Sequence, residues 1–98
     1  MIKSQEHERL ERASRLFRSL SELQSLRLLL ALTEQAELNV SELREKLGTG
    51  QSAVSHHLSV LLDRGLVERR RDSRFTYYWI RSKYVRSVLS DLKLGIIQ

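Results

Sequence analysis

The chain has 98 residues, with 17 lysines and arginines against 12 aspartates and glutamates, three histidines, no cysteine and a formal charge of +5. That length suits one small domain with no room for a second core, and a domain this size buries only roughly 60–70% of its unfolded surface, so a partner subunit would help it. The charge favours a polyanionic partner, nucleic acid or an anionic surface; the absent cysteines exclude disulfides, thiolate metal sites, haem attachment and thiol redox sensing.

The start, "MIKSQEHERLERASRLF", carries acidic residues and no apolar stretch of the kind a signal peptide has, and no run approaches the roughly 18 apolar residues of a membrane span. A cytoplasmic protein with no membrane partner is expected. Leu10, Ala13, Phe17 and Leu20 recur at three- and four-residue steps among Glu and Arg, the stripe of an amphipathic helix over about residues 6–20. A second helix, about 22–36, carries Leu23, Leu26, Leu29, Leu30 and Leu32 with few charges and is expected to be the most buried element.

"LNVSEL" reads as a helix start. Asn39 can cap, Glu42 completes a capping box, and Leu38 and Leu43 are spaced for a hydrophobic staple. That helix should run from Val40 to Leu47 and stop at Gly48 in the left-handed conformation. After "GTG" another begins at about Gln51 behind Gly50, a weak cap, and two helices joined by about three residues make a helix-turn-helix. In the second of these, about 51–64, Val54, His57, Leu58 and Leu61 share one face, and Ser52, Ser55, His56 and Ser59 share another. His57 is therefore expected to be a satisfied, partly buried histidine that locks the turn, and His56 to point outward with the serines.

Beyond Gly65 the period becomes two. "LVERRR" and "RFTYYWI", separated by "DS", predict a hairpin from about Leu66 to Ile80, with Thr76, Tyr78 and Ile80 on one face and Phe75, Tyr77 and Trp79 on the other. The turn has no Asn-Gly or Asp-Gly signal, and alternation alone leaves open which face is inward. Arg69, Arg70, Arg71 and Arg74 crowd the tip, where like charges repel unless an anion neutralises them. Finally, Ser82 can cap a helix with a stripe of Val85, Val88, Leu89 and Leu92. So small a domain leaves few neighbours to cover that stripe, so a second subunit is expected to bury it together with Leu10, Ala13 and Phe17.

These elements give a mainly α fold with a small β-hairpin, in the order α-α-α-α-β-β-α of a winged helix-turn-helix. The segments "LRLLLAL", "ELNVSELREKLG", "QSAVSHHLSVLLDRGLV" and "RRRDSRFTYYWI", over about residues 20–80, resemble the arsenic-repressor (ArsR-type) family of bacterial transcriptional repressors. The resemblance implies a homodimer, formed through the first and last helices and bound to an inverted-repeat operator in double-stranded DNA, where it would exclude polymerase. It also implies metal-sensing sites that this chain lacks. The arsenic and cadmium sensors have cysteines at the positions of Asn39 and Ser41, and the zinc and nickel sensors use Asp, His and Glu on the last helix, which here offers only Asp91 and no histidine. His7 alone cannot fill the three or four positions of a zinc site, so neither metal nor cofactor is expected.

No enzyme is expected either. Ser55 beside His56 or His57 lies on a helix surface with no third group to orient a base, and "GTG" lacks the lysine of a phosphate loop. Gln51, Ser52, Ser55, His56 and Ser59 are the candidate base-reading residues, and Arg69, Arg70, Arg71 and Arg74 the candidate phosphate or minor-groove contacts. The competing reading is a winged-helix protein-interaction module with a basic tip, and RNA binding is a weaker third. Four arginines beside a polar helix face favour DNA, since a protein-docking surface calls for an apolar patch there.

Overall fold

The computed structural model describes residues 4–95. In chain order it contains α1 (Ser4–Ser21), α2 (Leu23–Leu32), β1 (Leu38–Asn39), α3 (Val40–Leu47), α4 (Gln51–Asp63), β2 (Val67–Asp72), β3 (Phe75–Ile80) and α5 (Lys83–Lys93). The core is built around α2. Leu28, Leu29 and Leu32 are fully buried and meet Leu43 from α3, Val54, Leu58 and Leu61 from α4, Val67 from β2, and Val85 and Leu89 from α5 in one cluster. Leu23 stands 66% exposed, so the inward face of α2 runs through Leu28 and Leu32 rather than from Leu23.

The α2 helix stops at Leu32, four residues short of its expected end. Thr33 Oγ1 turns back to donate to the Leu30 carbonyl at 2.6 Å. Arg86 reaches across from α5 and donates to the carbonyls of Thr33 and Leu32 at 3.2 and 3.1 Å, satisfying acceptors that another helical turn would have used. Glu34 is then held between Lys46 of α3 at 2.8 Å and Lys93 of α5 at 3.2 Å.

Hydrogen bonds from Lys46 and then Lys93 keep the Glu34 carboxyl below its ordinary pKa. A depressed folded pKa means that the stabilisation is present above the ordinary carboxylate range and is lost as pH falls through the lowered value. Melting temperatures of the native chain and Glu34→Gln should therefore differ at neutral pH and converge in acid. The side chain is 41% exposed, so the difference is small. A gap that stays constant with pH would assign it to packing instead.

The helix-turn-helix follows the sequence closely. Asn39 Oδ1 accepts from the Glu42 amide and Glu42 Oε1 accepts from the Asn39 amide, both at 2.9 Å, which is the full capping box. Leu38 and Leu43, the staple pair, are both fully buried. Gly48 ends α3 at φ +66°, left-handed as expected.

Two features of the sheet were not legible in advance. Leu38 and Asn39 form a short strand against Tyr78 and Tyr77, so β3 is central in the order β1-β3-β2. The hairpin pairs Val67 with Ile80 through to Asp72 with Phe75, which makes Ser73 and Arg74 the loop in place of the expected "DS". Ser73 takes φ +57°, and Arg74 is not among the positive-φ residues, the sign pattern of a type II′ hairpin turn. Tyr78 and Ile80 are 8% and 6% exposed, so theirs is the inward face.

The expected stripe on α5 divides. Val85 and Leu89 are buried in the core of their own chain, so they need no second subunit to cover them, whereas Val88 is 45% exposed and Leu92 half-buried. On α1 the inward face is Leu16, Ser19 and Leu20, which leaves Leu10 and Phe17 exposed and Ala13 half-buried. Leu16, Phe17, Leu20, Tyr84 and Val88 line an apolar depression of ≈ 310 Å³ between α1 and α5.

Candidate nucleic-acid interface

Val54, Leu58 and Leu61 anchor one side of α4 in the core, which fixes its rotation and turns the opposite side to solvent. Gln51, Ser52, Ser55, His56 and Ser59 are all exposed. They form one polar strip on the N-terminal two-thirds of a 13-residue helix. Side chains there offer an amide, three hydroxyls and an imidazole, groups that can hydrogen-bond base edges in a major groove.

The two histidines separate as their helical positions require. His56 is exposed and His57 half-buried. His57 does not lock the turn, however: its side chain makes no hydrogen bond among the described residues, and its ring meets that of His56 edge-on at 5.6 Å. Burial next to Val54 and Leu58 was readable from the spacing; a polar partner was not there to be read.

In the wing, pairing partners share a face. Arg69 opposite Tyr78 and Arg71 opposite Thr76 therefore project on the inward side beyond the core, and Arg70 opposite Tyr77 projects on the other. Arg70 has internal counter-charges. Its guanidinium grips the Glu37 carboxylate in a two-pronged pair, with Nε to Oε2 at 3.0 Å, lies 3.5 Å from Asp72 and covers the Tyr77 ring at 5.0 Å. The hydrogen bonds that Arg70 donates to the Glu37 carboxylate raise the guanidinium's already high pKa. The crowding seen in "ERRRDSR" is thus relieved within the chain at Arg70, and Glu37, 33 residues away, carried no local sign of that role.

Arg69, Arg71 and Arg74 form no ion pair among the described residues. Arg71 Nε donates to the Ser73 carbonyl at 3.1 Å, and Arg74 lies over the Phe75 ring at 5.6 Å. These three guanidiniums are the open positive charge of the wing tip. Among the described residues no three His, Cys, Asp or Glu side chains come together in a way that could hold a metal ion. Asn39 is committed to its cap, and His7 pairs with Glu11 at 2.6 Å on the surface of α1.

A helix-turn-helix whose second helix presents a polar strip, followed directly by a hairpin with an arginine-rich tip, defines the winged helix-turn-helix class. Residues 24–69 match the family model described as "Bacterial regulatory protein, arsR family". The nodulation protein NolR of Rhizobium meliloti is 35% identical over 88 residues, covering 90% of this chain and 71% of that protein. The HTH-type transcriptional regulator YgaV of Escherichia coli strain K12 is 30% identical over 83 residues, covering 85% and 84%. The structure of HlyU from Vibrio cholerae N16961 superposes with a TM-score of 0.82 at 30% identity, over 92% of this chain and 97% of that one. The chain belongs to the arsR family of bacterial regulatory proteins and is a DNA-binding transcriptional regulator. Relatives such as YgaV are transcriptional regulators by name, and no described helix is long and apolar enough to cross a membrane.

Proposed function

We propose that the chain acts in the cytoplasm as a homodimeric repressor that binds an inverted-repeat operator. The observation that carries this reading is the exposed polar strip of α4 flanked by the open guanidiniums of the wing. The strip gives base discrimination and the guanidiniums give affinity that depends little on sequence. Gln51, Ser52, Ser55, His56 and Ser59 read base edges; Arg69, Arg71 and Arg74 contact phosphates or the minor groove, while Arg70 braces the wing against Glu37. Leu10, Ala13, Phe17, Val88 and Leu92, the part of the α1 and α5 stripes not used by the chain's own core, supply the dimer contact.

Selection from random duplexes tests the reading. It should recover inverted repeats with half-site centres about one helical turn, roughly 34–36 Å, apart. Recovery of asymmetric sites alone would sink it.

Operator affinity should not respond to metal. Neither Asn39 nor Ser41 is a thiolate, and α5 offers one carboxylate, Asp91, and no histidine. Titrations with chelator, Zn²⁺, Cd²⁺ or arsenite should superimpose on the untreated curve. A shift of roughly tenfold, about 1.4 kcal/mol, at stoichiometric metal would overturn this expectation.

A further inference from the structure

A second basic feature lies away from the recognition strip. Where α1 passes the C-terminal end of α4 and the base of the wing, a depression of ≈ 410 Å³ is lined by Arg12 and Arg15 of α1, Arg64 just after α4, and Arg81 just after β3, with Asp63 as the one carboxylate of the lining. Gly65, at φ +73°, brings the backbone close: a Cβ there would lie 3.5 Å from Arg81 Nη1. Four guanidiniums from three separate stretches of chain therefore converge on one space.

Their existing partners hold them loosely, with one exception. Arg15 lies 3.9 Å from Glu11, Arg81 3.4 Å from Glu68 and Arg64 3.5 Å from Glu22, and each pair has at least one half-exposed member. Such pairs contribute little. Arg12 forms no ion pair among the described residues. The exception is the 2.6 Å hydrogen bond from Arg64 Nη1 to Oγ of Ser19, a fully buried residue, which fixes one guanidinium against α1 as a rigid wall.

We propose that this depression is an oxyanion site for a small phosphate-bearing ligand. A carboxylate saturates a single guanidinium fork, whereas a phosphate presents three oxygens to forks arriving from different directions, which suits α1, the α4 end and the β3 end together. The size is that of a small-molecule site, within roughly 300–1,000 Å³. DNA phosphate is the other source of the same chemistry, and position argues against it. The proposed base-reading residues begin at Gln51, and Arg64 lies just beyond the far end of the helix, about 20 Å along its axis. A ligand there would touch both α1 and the end of the recognition helix, so its binding would be felt by the DNA-reading element.

The test does not depend on the operator reading, since its readout is binding of a free phosphate compound, with random duplex DNA used only to check the other source of the same chemistry. The full chain is titrated calorimetrically with inorganic pyrophosphate at fixed ionic strength, beside an Arg12→Ala/Arg81→Ala variant and an Arg69→Ala/Arg71→Ala wing variant, with a melting curve for each. The expected result is one saturable site per chain, weakened roughly ten- to hundredfold in Arg12→Ala/Arg81→Ala with an unchanged melting curve, and retained in the wing variant. Absence of saturation, or equal loss in the wing variant, would overturn the site. So would an Arg12→Ala/Arg81→Ala variant that binds pyrophosphate normally but shows a flatter salt dependence on duplex DNA, since those arginines would then be backbone contacts.

Discussion

Leu89→Arg should leave no folded chain, whereas Phe17→Arg should leave a folded monomer. Both residues belong to apolar stripes on the helices that flank the helix-turn-helix, and a helical-wheel argument treats them alike. Burial separates them: Leu89 is 1% exposed in its own chain and Phe17 65%. Truncating a buried leucine to alanine already costs about 2–5 kcal/mol, and a small domain has about 5–15 kcal/mol in total. Arginine at the same place adds an unpaired buried charge, a further penalty of about 3–5 kcal/mol. At Phe17 the charge enters water in the isolated chain and meets a partner only in the dimer. Sedimentation and melting should therefore show wild type as a dimer whose melting temperature rises with concentration, Phe17→Arg as a monomer whose melting does not, and Leu89→Arg as unfolded. A Phe17→Arg chain that remains dimeric would move the interface off α1.

That contrast also shows what a single sequence discloses. Local signals were fully readable where a short stretch decides its own conformation. Asn39 and Glu42 cap each other across three residues, Gly48 takes the left-handed stop, and Ser82 caps α5 by accepting from the Val85 amide at 3.3 Å. The facing of α4 was readable too, because Val54, Leu58 and Leu61 leave only one rotation that buries them all.

What escaped the sequence was decided by residues far away in the chain. Arg86 ends α2 from 53 positions downstream, Glu37 neutralises Arg70 across 33, and β1 exists only because Tyr77 and Tyr78 lie beside it. The stripe on α5 was visible as a stripe, but periodicity does not say whether the core or a partner covers it. Val85 and Leu89 went to the core, and Tyr84, which the stripe did not include, stands 87% exposed at the edge of the apolar depression.

The recognition helix and the wing should fail differently, and the histidine pair of "QSAVSHHL" makes the sharpest comparison. His56 is exposed on the polar strip of α4, the strip proposed to read base edges. Its replacement by alanine should cost roughly 1–3 kcal/mol on the operator and leave random duplex nearly unaffected. Arg71 and Arg74 project at the hairpin tip with no carboxylate partner among the described residues. Replacing either by alanine should weaken operator and random DNA alike and flatten the salt slope by about one unit per lost phosphate contact. Arg70→Ala should resemble neither. It breaks the pair with Glu37 and uncovers Tyr77, so it should lower the melting temperature. His57→Ala should also act on stability first, through lost packing beside Val54 and Leu58. One binding series on operator and random duplex at several salt concentrations, with a melting curve for each variant, separates these outcomes. If His57→Ala abolished operator binding at unchanged stability while His56→Ala weakened both DNAs equally, then His57 rather than His56 would face the groove, and the recognition strip would have to be redrawn around it.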